Sequence, residues 1–307
     1  MKWIKKNFIF NADDLTYWAK SGAMIPTPYI LDENTIRVYL TFLDKSGIGR
    51  CGYVDLDKNN LTQVLNYSKE PIFDIGLDGT FDENGALTCS VCNSKDGNLY
   101  FYYAGFELCT KIRYRLLSGL AITDKSLHLI KKYSTPILER TSEELFFRGG
   151  PFCMYDKKAD IYKMWYVAGS EWMEIDGKSM PVYEIKYLES VDGITWPNEG
   201  KTCIKIENEN EHGFGRPYVI EHNGIYKMFY SIRIKHLGYR LGYAESIDGR
   251  NWNRNDKLIN INVSNTGWDS EMITYSAVIE INGRLIMFYN GNGFGKTGFG
   301  YAELIEA

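Results

Sequence analysis

The chain has 307 residues, of which 44% are hydrophobic and 24% are charged, so it can bury a full core and is neither disordered nor fibrous. Its formal net charge of −4 at pH 7 leaves no basic stripe, which argues against nucleic acid as a partner. No apolar run approaches the ~18 residues of a membrane span, and the basic N-terminus lacks a signal-peptide core, so we expect a cytoplasmic protein with no membrane contact.

An apolar-aromatic phrase recurs in chain order. Its copies are VYLTF from Val38, LYFYY from Leu99, YKMWY from Tyr162, YKMFY from Tyr226 and LIMFY from Leu285. They begin roughly 60 residues apart from one end of the chain to the other, a period that is typical of solenoids, propellers and arrays. The repeat therefore predicts the architecture of the whole chain.

Each copy of the phrase lies in the same series of predicted strands. A short apolar strand such as PYVIE turns at Asn-Gly or Asp-Gly into the alternating strand that carries the phrase. A third strand follows, and the turns SVDGITW (Ser190 to Trp196) and SIDGRNW (Ser246 to Trp252) lead to a fourth strand that begins at the tryptophan. Four antiparallel strands repeated five times, with almost no helical periodicity, predict an all-β, five-bladed β-propeller.

The two ends of the chain complete one predicted blade. The fifth copy ends after its third strand, in FGYAELIEA, whereas the chain begins with KWIKKNFIF, whose Trp3 matches the tryptophans that open fourth strands. The N-terminal strand should therefore complete the last four-stranded blade and close the ring, which removes exposed sheet edges. We expect residues 1–307 to form a single domain.

The six cysteines follow no ligand or redox pattern. Their spacing is irregular and gives no paired CxxC sets, which suits reduced thiols in a cytosolic protein. Cys89 and Cys92 are three residues apart, but on a strand their side chains would point to opposite faces. The sequence therefore predicts no metal site, and it predicts no cofactor.

Several stretches resemble the five-bladed propeller glycosidases, a superfamily that includes arabinanases and xylosidases, invertases and levansucrases, and mannoside phosphorylases. They are the SxDGxxW turns, the segment from Gly79 to Gly105 and the phrase RPYVIEHNGIYKMFYS from Arg216. The resemblance covers nearly the whole chain. It implies a carbohydrate-active enzyme with two carboxylates over the central channel, of which one protonates the leaving oxygen and the other activates water or attacks the sugar.

The usual carboxylate positions of that superfamily hold other residues here. In the arabinanase group a base precedes a proline in the first blade, where this chain offers Thr27, and an acid opens the third blade, where it has Gly149. Arg216 instead precedes a proline in the fourth blade, and Arg148 opens the third. Because guanidinium groups suit phosphate and carboxylate, these replacements favour an anionic substrate.

Carboxylates in the loops before first strands are the candidate acids and bases. We rank them Asp82, then Glu271, then Glu144. A pair from different blades could act together if their environments separated their pKa values. The alternative for each is a loop carboxylate that caps a turn or stays solvated.

Five other residues are candidate substrate contacts. Arg148 and Arg216 would bind an anion, or else form ion pairs between blades. Tyr275 and Trp268 would stack on a sugar, or else pack between blades. His212, just before a first strand, would shuttle a proton or bind a metal ion, or else be an ordinary loop residue.

The sequence thus predicts an enzyme that acts at a glycosidic or glycosyl-phosphate bond of an anionic or phosphorylated sugar, with a small-molecule carbohydrate as its partner. Two alternatives stay open. A cytoplasmic glycosyltransferase or sugar-nucleotide-processing enzyme of glycan biosynthesis would explain the arginines together with the replaced carboxylates. A non-catalytic glycan-binding propeller would explain the replaced carboxylates alone.

Overall fold

The computed structural model describes residues 1–306, whose regular secondary structure is almost entirely β-strand. In chain order the strands are β1 (Lys2–Phe10), β2 (Ala12–Asp13), β3 (Ser21–Ile30), β4 (Thr35–Leu43), β5 (Gly49–Asp57), β6 (Asn60–Tyr67), β7 (Ala86–Asn93), β8 (Leu99–Leu108), β9 (Tyr114–Thr123), β10 (Leu129–Lys132), β11 (Phe147–Asp156), β12 (Ile161–Ile175), β13 (Lys178–Ser190), β14 (Lys201–Ile204), β15 (Glu211–His222), β16 (Ile225–Ile234), β17 (Arg240–Ser246), β18 (Asn253–Arg254), β19 (Thr274–Ile281), β20 (Arg284–Asn290) and β21 (Phe299–Glu306). A 3-10 turn at Asp256–Leu258 and the four-residue helix α1 (Asn292–Gly295) are the helical elements of this part of the chain. None of its helices is long and apolar enough to cross a membrane.

The chain forms two compact units. The first contains Met1–Pro71, Tyr218–Arg233 and the chain from Leu237 onward. It holds a five-stranded sheet in the order β2-β3-β4-β5-β6, a sheet in the order β1-β21-β20-β19, and a sheet in the order β15-β16-β17-β18, of which β15 enters the unit at Tyr218. Successive strands in the sheets are antiparallel, as predicted.

The second unit contains Ile72–Pro217 with Ile234–His236. Two antiparallel groups of strands, β7 to β10 and β11 to β14, join into one sheet through a short parallel pairing of β11 with β9. In that pairing Phe147 lies opposite Leu116, and Arg148 opposite Leu117. The prediction of one domain over the whole chain stays a prediction.

The five copies of the repeated phrase all lie in second strands, namely β4, β8, β12, β16 and β20. Their residues are mostly buried, and β8 is buried at every position from Leu99 to Gly105. Near-continuous burial is typical of strands that are covered on both faces of their sheet. The phrase therefore records a repeated core position, and it was a correct guide to the strands.

The chain ends meet as the sequence predicts. β1 pairs antiparallel with β21, with Trp3 opposite Leu304, so the N-terminal strand completes the last four-stranded sheet. Trp3 is buried, and its ring meets Phe229 edge-on at 6.1 Å. The SxDG turns are also confirmed: Gly193 has φ +72°, and its N–H donates to the Ser190 hydroxyl at 3.0 Å.

Candidate functional site

The first strands of several sheets carry a β-bulge at an equivalent position. The ladder skips residues between Met24 and Thr27 in β3, between Gly149 and Phe152 in β11, and between Thr274 and Ala277 in β19. The skipped segments begin with Ile25, Gly150 and Tyr275, whose φ angles are +55°, +59° and +52°. Bulges are over-represented next to active sites, where they redirect side chains.

Residues other than glycine persist at positive φ only where the surrounding structure holds the backbone, as at Ile25 and Tyr275. A β-branched residue such as Ile25 is a genuine outlier there, and such strain costs roughly 1–3 kcal/mol and clusters at functional sites. The Ile25 N–H donates to the Asn290 side-chain oxygen at 2.7 Å, and the Tyr275 N–H donates to the Ser231 hydroxyl at 2.9 Å. Polar side chains of neighbouring second strands therefore fix the strained backbone.

The bulge of the first strand also lies before a proline. Ile25 precedes Pro26 in β3 as Gly150 precedes Pro151 in β11, and each is the first skipped residue of its bulge. Ile25 lies two residues before Thr27, whose match to the arabinanase base stays a prediction. The position still holds no carboxylate.

Three residues of first strands meet in the second unit, and we call them the bulge cluster: Cys89 and Gly150, which lie in bulges, and Arg216, which contacts both. Cys89 is skipped between Thr88 and Ser90 in β7. The Arg216 Nε and Nη2 atoms donate to the Cys89 carbonyl oxygen at 2.9 and 2.7 Å, and a methyl group on Gly150 would lie 3.7 Å from the Arg216 Cα. Arg216 is only 3% exposed. The structure thus brings one predicted substrate contact against the bulges of two other first strands.

Arg148 and Glu144, both predicted site residues, are paired with each other. The Arg148 Nε atom lies 2.5 Å from a Glu144 oxygen, and both residues are buried. Arg148 also donates to the carbonyl oxygens of Glu139 at 2.9 Å and Pro197 at 3.1 Å. Its guanidinium therefore joins two loops to β11, and both alternatives stated for it, anion binding and an ion pair between blades, stay predictions.

Glu144 accepts further bonds from three directions. Lys186 Nζ lies at 3.0 Å, the Tyr166 hydroxyl donates at 2.8 Å, and the Gly200 N–H donates at 3.1 Å. Burial, and next the charge of Glu144, raise the pKa of Tyr166 above its ordinary value. The carboxylate is thus surrounded by protein donors.

Asp82 has a similar environment in the preceding group of strands. It is fully buried, 2.5 Å from Lys132 Nζ, and it accepts from the Tyr103 hydroxyl at 2.9 Å and the Thr80 hydroxyl at 3.1 Å. Burial, and next the charge of Asp82, raise the pKa of Tyr103 above its ordinary value. Asp82 and Glu144 do not contact each other through any hydrogen bond or ion pair of residues 1–306.

A tyrosine–carboxylate pair recurs at the end of the repeated phrase. The last tyrosine of four copies donates to a carboxylate: Tyr103 to Asp82, Tyr166 to Glu144, Tyr230 to Asp256 and Tyr289 to Asp269. Each carboxylate also has a cationic partner, which is Lys132, Arg148 with Lys186, Arg254 and Lys5, respectively. The repetition indicates a structural role for Asp82 and Glu144. The final tyrosine of the phrase was the sequence signal for it.

The remaining predicted residues are Glu271, Trp268, Tyr275 and His212. Glu271 is exposed, and its hydrogen bonds with the described residues involve only its backbone. Trp268 stacks on Tyr289 at 5.1 Å and 27°, while Tyr275 meets Tyr239 edge-on at 6.4 Å. His212 is buried, with Nδ1 3.4 Å from the Pro181 carbonyl oxygen. Their assignment to substrate stays a prediction.

A pocket of about 380 Å³ opens in the second unit beside Glu144. It is bordered by β12, β13 and the loop before β11, and its polar lining includes Glu143, Glu171, Glu184 and Lys186. Within residues 1–306, no group of three or more histidine, cysteine, aspartate or glutamate side chains is placed to hold a metal ion. The pocket therefore offers hydrogen bonds and charge to a polar ligand.

Comparison with known proteins finds similar sequences and similar solved structures. No family model matches the sequence. The chain is 30% identical over 304 residues to "Uncharacterized protein Rv1502" of Mycobacterium tuberculosis strain H37Rv, which covers 99% of both chains. It is equally similar to "Uncharacterized protein MT1551" of M. tuberculosis strain CDC 1551.

Solved structures of glycoside hydrolases share the fold. One described as "Glycoside hydrolase" matches with a TM-score of 0.71 and 18% identity, covering 98% of this chain and 91% of the other. Another, described as "The GH130 family of mannoside phosphorylases contains glycoside hydrolases that target beta-1,2 mannosidic linkages in Candida mannan", matches with a TM-score of 0.72 and 14% identity, covering 98% and 93%. The fold is therefore an all-β propeller of the glycoside-hydrolase type.

Proposed function

The chain belongs to the same family as the uncharacterized Mycobacterium tuberculosis protein Rv1502, and from its fold and site we propose a carbohydrate-active enzyme that acts at a glycosidic or glycosyl-phosphate bond. The substrate in this proposal is an anionic or phosphorylated sugar, or a neutral glycan attacked by phosphate. We propose five blades and a single domain, with the site in the central channel. The supporting observation is the bulge cluster, where Arg216 meets two other first strands.

Arg216 is the proposed binding group for phosphate or carboxylate. It lies before Pro217, in the position that matches Ile25 before Pro26 and Gly150 before Pro151. A guanidinium with a fixed plane recognises phosphate or carboxylate through paired hydrogen bonds, and the Cys89 carbonyl fixes that plane here. If phosphate bound at Arg216, its oxygen could attack the anomeric carbon while the glycosidic bond breaks, so no enzyme carboxylate would be needed as base or nucleophile.

The leaving oxygen would still need a proton donor. Asp82, Glu271 and Glu144 stay the proposed candidates. Asp82 and Glu144 accept bonds from lysine and tyrosine, which limits their access to substrate. Glu271 is exposed, whereas Asp82 and Glu144 are buried, so its carboxylate is the most accessible of the three.

A non-catalytic glycan-binding propeller is the second proposal, because the two buried candidate carboxylates belong to the repeated tyrosine–carboxylate pairs. The glycosyltransferase or sugar-nucleotide alternative relies on the same arginine. All six cysteines are free thiols within the described residues. Free thiols are usual in reducing compartments, and we propose the cytoplasm as the location.

The experiment is a thermal-shift screen of neutral sugars, sugar phosphates, sugar nucleotides and inorganic phosphate, followed by turnover assays with each stabilising compound. A ligand at 100 times its Kd stabilises the native state by about 2.7 kcal/mol, so a shift of several degrees is measurable. The variant is Arg216→Ala, and the matched control is Arg254→Ala, which removes an arginine paired with Asp256 at 2.6 Å.

The outcomes separate the proposals. Stabilisation by phosphate or a sugar phosphate that is lost only in Arg216→Ala, together with turnover, supports the enzyme. Stabilisation by sugar nucleotides alone favours the transferase alternative. Binding of neutral glycans without turnover, unchanged in Arg216→Ala, favours the non-catalytic propeller and rejects the anionic site.

A further inference from the structure

Two hairpins of the second unit extend past the beginnings of their first strands. β7 begins with Ala86 opposite Gly105, but β8 and β9 stay paired out to Leu108 opposite Tyr114. Likewise β11 begins opposite Gly169, but β12 and β13 stay paired out to Ile175 opposite Lys178. The two hairpin ends therefore project beyond the end of the sheet at which the first strands begin.

Aromatic rings join the two projecting hairpins, and we call them the aromatic wall: Phe106, Tyr114, Phe146, Phe147, Trp172 and Tyr183. Tyr114 stacks on Phe106 at 4.9 Å, and it meets Trp172 of the other hairpin edge-on at 6.0 Å. Trp172 also meets Phe147 at 5.1 Å and Phe146 at 6.5 Å. Phe106, Tyr114, Phe146 and Trp172 are each partly exposed.

Trp172 differs from the tryptophan that the sequence favoured as a sugar platform. Trp268 already stacks on Tyr289 at an interplanar angle of 27°. By contrast, the ring contacts of Trp172 among the described residues are inclined at 55° to 73°, so none of them is a parallel stack. Its indole N–H is buried and has no acceptor within residues 1–306, so hydrogen bonding does not explain why a tryptophan is placed there.

The aromatic wall contacts the strand that carries Arg216. Tyr183 meets Phe147 at 4.7 Å, and a methyl group on Gly213 would lie 2.8 Å from the Tyr183 backbone nitrogen. Gly213 precedes Arg216 by three residues in β15, a separation of about 10 Å along an extended strand. A ligand that reaches from Arg216 to the wall must therefore be longer than one sugar ring.

We propose that the aromatic wall is a glycan subsite in which Trp172 stacks on a sugar ring of an oligosaccharide whose reacting end lies at the bulge cluster. The apolar face of a pyranose suits an aromatic ring, and the partly exposed Trp172 lacks a parallel partner. This inference rests on the proposed function and narrows it to oligosaccharides of at least two units.

The test is calorimetric titration with manno- and arabino-oligosaccharides of one to four units. Affinity should rise from one unit to the longer members, and Trp172→Ala should remove a roughly three- to tenfold gain while leaving the affinity for the single unit unchanged. Trp172→Phe keeps an aromatic ring without the unpaired N–H, so it should fold and retain most of the gain. The matched control is Trp252→Ala, whose indole N–H donates to Gly249 at 3.0 Å in an SxDG turn.

The outcomes distinguish this subsite from the proposed function. If single sugars or sugar phosphates bind through Arg216 but longer glycans gain no affinity, or if Trp172→Ala keeps the gain, the subsite is rejected and the function stands. A loss that is equal in Trp172→Ala and Trp252→Ala also rejects it. If the wild-type protein binds neither these oligosaccharides nor any compound of the thermal-shift screen, the proposed function fails and the subsite fails with it.

Discussion

Replacing Glu144 with glutamine tests whether the carboxylate before β11 is structural or catalytic. The substitution keeps the shape but removes the charge that lies 2.5 Å from Arg148 Nε and 3.0 Å from Lys186 Nζ. Removing one partner of a buried ion pair costs about 3–5 kcal/mol, because the other charge is left uncompensated. The Lys186 side chain is 15% exposed, so solvent offsets part of its charge, and we expect ~3 kcal/mol from the lower end of that range.

The assay is equilibrium unfolding in urea, followed by far-ultraviolet circular dichroism and tryptophan fluorescence, with Glu143→Gln as the matched control. Glu143 is exposed, so its substitution should change stability by less than about 0.5 kcal/mol. Glu144→Gln should unfold at a clearly lower urea concentration. If it were as stable as the control while turnover of an identified substrate disappeared, Glu144 would be catalytic and the structural interpretation would be refuted.

Three further predictions follow from burial and backbone geometry. In the native protein a thiol reagent should label Cys109 and Cys203 first, while Cys89 should resist at pH 8 because burial raises its pKa to about 11; fast labelling of Cys89 would contradict its burial. Burial raises the pKa of Tyr100 to about 12, above its unfolded value of 10. Its contribution to stability is therefore complete below pH 10 and is lost as the pH rises towards 12. In thermal melts, Tyr100→Phe should lose less stability between pH 10 and pH 12 than wild type does, and an equal loss would contradict this prediction. Gly150→Ala should cost roughly 1–2 kcal/mol in urea unfolding because alanine is strained at φ +59°, and an unchanged midpoint would show that the bulge is not rigid.

The repeated phrase made the strands predictable, but it could not reveal every pairing. The phrase and the SxDG turns are local patterns, and the matching Trp3 correctly indicated the pairing of β1 with β21. The parallel pairing of Phe147 with Leu116, which joins two groups of strands, is a contact between distant segments. No local periodicity specifies such a contact.

The candidate carboxylates were correctly located in loops before first strands, but their surroundings were not predictable. Glu144 and Asp82 are buried against Lys186 and Lys132, which come from strands well downstream in the chain. Loop sequence alone does not show whether a carboxylate will be solvated or paired, since the partner is set by sheet order. Trp172 was missed for a similar reason, because it lies where β12 extends past β11.

The most direct test of the central claim is calorimetric titration of the wild-type protein and Arg216→Ala with inorganic phosphate and with sugar 1-phosphates. Hydrogen bonds to charged groups contribute about 1.5–3 kcal/mol, so we expect a loss of affinity of tenfold or more in Arg216→Ala. Arg254→Ala should bind as wild type does. Equal affinity in the wild-type protein and Arg216→Ala would contradict an anion site at the bulge cluster.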